Sequence, residues 1–293
     1  MSHLHVFGDD QLTVEVSDHG AELQRIAHAR FGELQWDGGP AWPRRAPVLF
    51  PIIGKLNGGR LRLPDGSERA MGQHGFARDM AWRWLERGDA SARLELADSE
   101  ETRAIFPWPF RLEIAYAVAD GGLTARYLLS NTGDDTLPAS LGAHPAFRWP
   151  LAPQVAPDAH RVVFAEPQGP TIRRLTPAGA LDPAPKPSPI EGRTLHLRRA
   201  LFADDAIILD RPQGTALRYE APGRVALAIA WTGFEELGMW TKPEAGDFLC
   251  IEPWRGFADP EGFDGPFPQK PGLMHLAPGE TRELSWSVRP EPA

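Results

Sequence analysis

The chain has a single cysteine, Cys250, among its 293 residues. An internal disulfide is therefore impossible, a thiolate metal cluster is excluded, and a reducing compartment is expected. No apolar run approaches the roughly 20 residues that a membrane-spanning helix needs. The N-terminal stretch "MSHLHVFGDDQLTV" lacks a basic segment followed by an apolar one, so no secretory leader is expected. Excess positive charge is missing too. The net charge is −8 and arginine is scattered, which argues against nucleic acid and anionic membrane as partners. These absences point to a soluble, cytoplasmic protein.

Chemical signatures are absent in the same way. The sequence holds no His-Glu-x-x-His, no Cys-x-x-Cys and no Gly-x-Ser-x-Gly elbow. It has no phosphate-cradling glycine loop and no βαβ pattern, which argues against nucleotide-dependent chemistry. Helical periodicity is confined to "DSEETRAIF", Asp98 to Phe106, with Asp98 or Ser99 as N-cap and glutamates in the first turn.

What is present is punctuation and alternation. Thirty prolines and 29 glycines suit many short strands joined by turns. Leu12, Val14 and Val16 alternate with polar residues, as do Phe110, Leu112, Ile114, Tyr116 and Val118. The turn "ADGG" then leads into Leu123, Ala125, Tyr127 and Leu129, the pattern of a hairpin. Further strands are predicted around Leu94 and Leu96, from Val225 to Trp231, and from Leu284 to Val288. The proline-rich stretch from Ala152 to Pro189 reads as a long surface excursion, because strands on both sides would otherwise lack partners. The fold class is all-β, with a large antiparallel sandwich spanning residues 1–293 as one domain.

Three segments place reactive side chains at loops or strand ends: "QHGFAR" with His74 and Arg78, "SLGAHPAFRWP" with His144, and "FLCIEPWRGFADP" with Glu252. Pro145 holds His144 extended, and Phe147 and Trp149 follow as an aromatic wall. Glu252 ends an apolar run, a costly position for a carboxylate unless it is paired or functional. A lone histidine is more often structural, and a lone strand-end glutamate is usually a solvated rim charge. Together an imidazole and a carboxylate suit acid–base chemistry on a small substrate, and the carboxylate is expected to raise the histidine pKa. Cys250, two residues from Glu252 and on the same strand face, is given a packing role. Ten tryptophans supply flat surfaces suited to sugar rings.

In order along the chain, "PVLFPIIGK", "QHGFAR", "GAHPAF", "LGMWTKP" and "CIEPWRGFADP" resemble the aldose 1-epimerase (galactose mutarotase-like) superfamily, in its bacterial branch carrying His-Gly-Phe-Ala-Arg. The resemblance runs from about Leu12 to near Val288. It implies a β-supersandwich and interconversion of the α and β anomers of a free aldose, without cofactor or metal. It also implies Glu252 as general base, His144 as general acid and His74 as supporting donor. Arg45, with Arg44 as competitor, and Asp205, with Asp204 as competitor, are the implied sugar contacts. Trp254 or Trp149 would pack on the sugar face. The early loop "GKLNGGR" departs from the Asn-Arg pair of well-studied galactose mutarotases. Hexose-6-phosphate mutarotases share His-Gly-Phe-Ala-Arg, and Arg78 with Arg44 or Arg45 would then hold a phosphate. Rival expectations are a non-catalytic carbohydrate-binding protein, and a glycoside hydrolase with Asp205 or Asp259 as the second carboxylate. For the epimerase, a bell-shaped pH profile is expected, with Glu252 on the acidic limb and a histidine on the basic one.

Overall fold

The alternating segments assemble into a nine-stranded antiparallel sheet in a computed structural model that describes residues 3–244 and 246–293. Across it run Thr194–His196, Arg161–Phe164, Ala216–Ala221, Val225–Thr232, Thr281–Glu291, Gly122–Asn131, Phe110–Ala119, Ser91–Ala97 and Arg83–Arg87. The predicted hairpin supplies its sixth and seventh strands in that order. Ala119 pairs with Gly122, and Asp120 and Gly121 between them have φ of +50° and +70°, the two left-handed positions of a tight hairpin turn. Leu112, Ile114, Tyr116, Leu123, Ala125, Tyr127 and Leu129 are buried.

A second sheet of six strands positions the site. In spatial order it contains Ile207–Asp210, Glu236–Trp240, Phe248–Arg255, Leu141–Ala143 and Val48–Leu49, with Ala146–Arg148 also pairing to Phe248–Arg255. Its central strand, Phe248–Arg255, is buried through Trp254. Leu249 and Ile251 join the main core, whereas Phe248 and Cys250 belong to a separate cluster and Trp254 to a third. One face of the strand therefore meets the core and the other forms the floor of a cleft. A four-stranded sheet, Leu4–Gly8 to Gly32–Glu33, lies at the N-terminal end.

The helix is Glu100–Ile105, with Ser99 as N-cap in a reciprocal capping box with Thr102. No helix among the described residues is long and apolar enough to cross a membrane. The proline-rich stretch departs from the expected surface excursion. Arg161–Phe164 adds a strand to the large sheet, and Ile172 and Leu181 are buried. Four residues of alternation between prolines are too short a signal to stand out in sequence, yet they satisfy the ladder of Ala216–Ala221.

Candidate active site

Strand register brings the acid–base pair together. Gly142 lies opposite Trp254 and Ala146 opposite Cys250, so the same register places His144 opposite Glu252 across the break at Pro145. Paired residues share a sheet face, and both side chains point into the cleft. His144 Nε2 and Glu252 Oε2 are 3.1 Å apart, with 7% and 1% of the residues exposed. Trp42 stacks on the His144 ring at 5.0 Å and 27°, and Trp240 meets it edge-on at 6.2 Å. The imidazole orientation is thus set by packing on two sides.

His74 arrives from a strained turn. Its φ is +64°, a region that non-glycine residues seldom occupy. Two reciprocal bonds hold it there: His74 N–H donates to the Gly54 carbonyl at 2.7 Å, and Gly54 N–H donates to His74 Nδ1 at 3.1 Å. An Nδ1 that accepts is unprotonated, so the neutral ring carries its hydrogen on Nε2, which faces the Gln73 side-chain amide at 3.3 Å with the amide turned to accept. The following Gly75 also has a positive φ, and a Cβ there would lie 2.2 Å from the Phe50 carbonyl oxygen. The two histidine rings meet edge to face at 5.6 Å.

These three residues line a cavity of about 260 Å³. Trp42, Trp240 and Trp254 wall it, and Gln73, Arg78 and Asp205 add polar groups. Trp254 lies flat across two glycines: a Cβ on Gly238 would come within 2.5 Å of its ring, and one on Gly142 within 2.8 Å. Among the described residues, His144 Nδ1 has no hydrogen-bond partner, and Glu252 Oε2, the Trp254 indole N–H and Arg78 Nε make only long or poorly aligned contacts, with His144 Nε2, the Glu252 carboxylate and Asp79 respectively. Buried polar atoms are rarely left so, and a hydroxyl-rich ligand would satisfy them.

Burial dominates the electrostatics. It pulls the His144 pKa down to about 3, with the Arg78 and Arg44 cations acting the same way. His74 is also held well below its ordinary value, first by burial and then by neighbouring cations. Burial, then the charge of Asp205, pushes Glu252 well above a solvated carboxylate. The expected upward shift of His144 is therefore reversed. The carboxylate that would have raised it is desolvated too, and the neutral pair is favoured over the ion pair. Cys250 offers its sulfur within 4.8 Å of the ligand atoms of His144 and Glu252, a trio a metal could use. Burial and the nearby Glu252 push its thiol well above the ordinary range, which makes it a poor ligand at neutral pH.

The weaker sequence assignments divide. Asp205 lines the cavity, whereas Asp204 lines only a neighbouring one. Arg78 lines it, donating through Nη2 to the Gln73 carbonyl at 2.6 Å. Arg45 does not reach it. Glu22 accepts bonds from the Arg45 and Ala46 N–H groups, and the Arg45 guanidinium turns to Gln24 Oε1 at 2.7 Å. Arg44 is likewise held outside, 2.6 Å from Asp79 Oδ1. Trp149 is fully buried, donating to the Pro157 carbonyl, so only Trp254 of the two is available to a ligand. Asp259 also lies outside the cavity, accepting from Asn57 N–H. Trp42, Trp240 and Gln73 were missed as site residues. Trp240 and Gln73 lie inside the segments "LGMWTKP" and "QHGFAR", but nothing in their local pattern gives a side-chain direction.

A rung carrying imidazole and carboxylate, a second histidine poised as donor, and a tryptophan floor occur here on a large β-sandwich. The aldose 1-epimerase family matches this sequence over residues 3–287. The chain belongs to that family. Protein LacX of Lactococcus lactis subsp. lactis is 27% identical over 290 residues, covering 96% of this chain and 97% of LacX. A galactose mutarotase related enzyme from Lactobacillus acidophilus superposes with a TM-score of 0.89 at 28% identity, covering 99% of this chain and 97% of that one. A galactose mutarotase-like protein from Lactobacillus casei gives 0.91 at 26%, covering 99% and 100%.

Proposed function

We propose that this epimerase-family protein interconverts the α and β anomers of a free aldohexose by acid–base ring opening. The observation that carries the reading is the His144–Glu252 rung, which lines a hexose-scale cavity and leaves His144 Nδ1 without a partner. The Glu252 carboxylate takes the proton of the anomeric hydroxyl while protonated His144 gives one to the ring oxygen. The C1–O5 bond breaks and the aldehyde forms. Rotation about C1–C2 presents the other carbonyl face. Reclosure returns both protons by the reverse path. The ion pair this step needs differs from the neutral pair only in where one proton sits, and the 3.1 Å contact lets that proton cross directly. His74 donates through Nε2–H to the ring oxygen as charge develops there. Trp254 packs on the apolar sugar face, and Arg78 and Asp205 bind hydroxyls.

Polarimetry of freshly dissolved α-glucose and α-galactose, with and without protein, tests the reading. Glu252→Gln and His144→Asn should each cost about 10²–10⁴-fold in rate with circular dichroism unchanged, since each removes one proton carrier. Wild-type rates in either variant would refute the roles. A carbohydrate-binding protein without catalysis would bind the sugars and leave the rotation decay unaltered. The Arg78 guanidinium at the cavity wall, its Nε without a hydrogen bond and only 3.7 Å from Asp79 Oδ2, favours a hexose 6-phosphate as the second reading. A preference for glucose 6-phosphate that Arg78→Met abolishes would select it.

A further inference from the structure

Beside the anomeric cavity lies a larger one of about 810 Å³. The two share Leu175, Trp240 and Asp205, so they join along that edge. His74, His144 and Glu252 line only the first. The proline-rich stretch, which anomer exchange leaves without a purpose, builds the wall of the second through Arg174, Thr176, Pro177, Asp182 and Lys186. This wall is anchored. Thr171–Ile172 pairs with Lys186–Pro187, and the Arg174 guanidinium donates to the Asp205 and Leu201 carbonyls, both at 2.7 Å.

We infer that the second cavity is a subsite for a further sugar ring, and that the preferred substrate is the reducing end of a short oligosaccharide. This rests on the anomeric reading above. The terminal aldose enters the acid–base cavity, and the ring glycosidically linked to it fills the larger one.

Size and charge both select a sugar. The first cavity is at the small end of ligand sites, while the second has room for a whole additional ring. Lys55, Arg174 and Lys186 stand against Asp182, Asp204 and Asp205, three cations to three anions. Lys186 is 2.7 Å from Asp182, and Arg174 is committed to carbonyls. A phosphate dianion would meet a balanced, largely self-paired lining. A neutral polyol needs what is present: Lys55 as donor, Asp204 as acceptor, and the Thr176 hydroxyl as both. Trp240, in both linings, offers an apolar surface at the junction of the rings.

The test compares mutarotation kinetics of glucose and galactose with maltose, cellobiose and isomaltose, all of which present glucose as the reducing ring, and with glucose 6-phosphate. At least one disaccharide should show a KM about tenfold below that of glucose at similar kcat, the signature of added uniform binding. Ala203→Trp, an exposed position that lines only the second cavity, should erase that advantage and leave the glucose constants within about twofold. Three results would each overturn the subsite: every disaccharide falling below the free hexoses, the advantage persisting in Ala203→Trp, or the advantage appearing with glucose 6-phosphate instead. Absence of acceleration for any sugar would overturn the anomeric reading, and the subsite with it.

Discussion

Glu252 holds its proton to a higher pH than a solvated carboxylate, and His144 gives its own up at about 3. The pair together carries one proton across the intervening range, and its apparent pKa values belong to the pair. The pH limbs therefore exchange owners relative to the sequence expectation. The acidic limb follows second protonation near the His144 value, and the basic limb follows the raised Glu252. A profile of kcat/KM against pH should show no fall near pH 4, where a solvated glutamate would titrate. Stability responds with opposite signs. The folded Glu252 keeps a proton that the unfolded chain loses above 4.5, so its contribution is complete below that pH and fades as pH rises toward the folded value. The Tm advantage of Glu252→Gln over wild type should accordingly widen as pH increases. For His144 the unfolded chain gains a proton below 6.5 that the folded one refuses down to about 3, so stability is lost on acidification. His144→Asn should gain on wild type as pH drops below 6.5. Thermal melts between pH 4 and pH 9 check both slopes.

At the scale of elements, the site depends on two backbone devices. The His74 turn requires a left-handed residue, which costs ordinary side chains about 1–2 kcal/mol and asparagine less. His74→Asn should retain Tm and lose rate, whereas His74→Val should lose about 1–2 kcal/mol of stability as well, read by urea denaturation. The glycine floor under Trp254 is the second device. Gly238→Ala forces the indole off the sheet, because its Cβ would sit 2.5 Å from the ring. Sugar KM should rise several-fold with a smaller change in kcat, as expected when a binding surface moves and the proton carriers stay. Legibility also divides by element. The long hairpin and the capped helix could be read because one face of each is solvated and the period is exposed. The short strands Leu141–Ala143, Ala146–Arg148 and Glu236–Trp240 are buried nearly throughout, and no alternation survives there for a pattern to detect.

For the whole molecule, protection from exchange should follow depth in the large sheet. Amides of Gly122–Asn131 and Thr281–Glu291, each flanked by strands on both sides, should exchange slowest. Those of residues 37–44, among which only the Trp42 main-chain N–H donates a hydrogen bond, should exchange fastest, and hydrogen-exchange mass spectrometry can rank them. All-β architecture was legible because composition and alternation act over the entire length. The gathering of His74, His144 and Glu252 was legible only through the order of the motifs, since contacts across 70 and 108 positions leave no trace in local pattern. Arg45 shows the limit. Its position beside the right segment was readable, but the bond that turns it to Gln24 was not.

Because His144 and Glu252 occupy facing positions on neighbouring strands, main-chain hydrogen bonding gauges their separation, at a strand spacing of about 4.8 Å. Residues around the mouth can change without altering that gauge. The imidazole–carboxylate distance is set by the fold, while the rim of the cavity is free to vary.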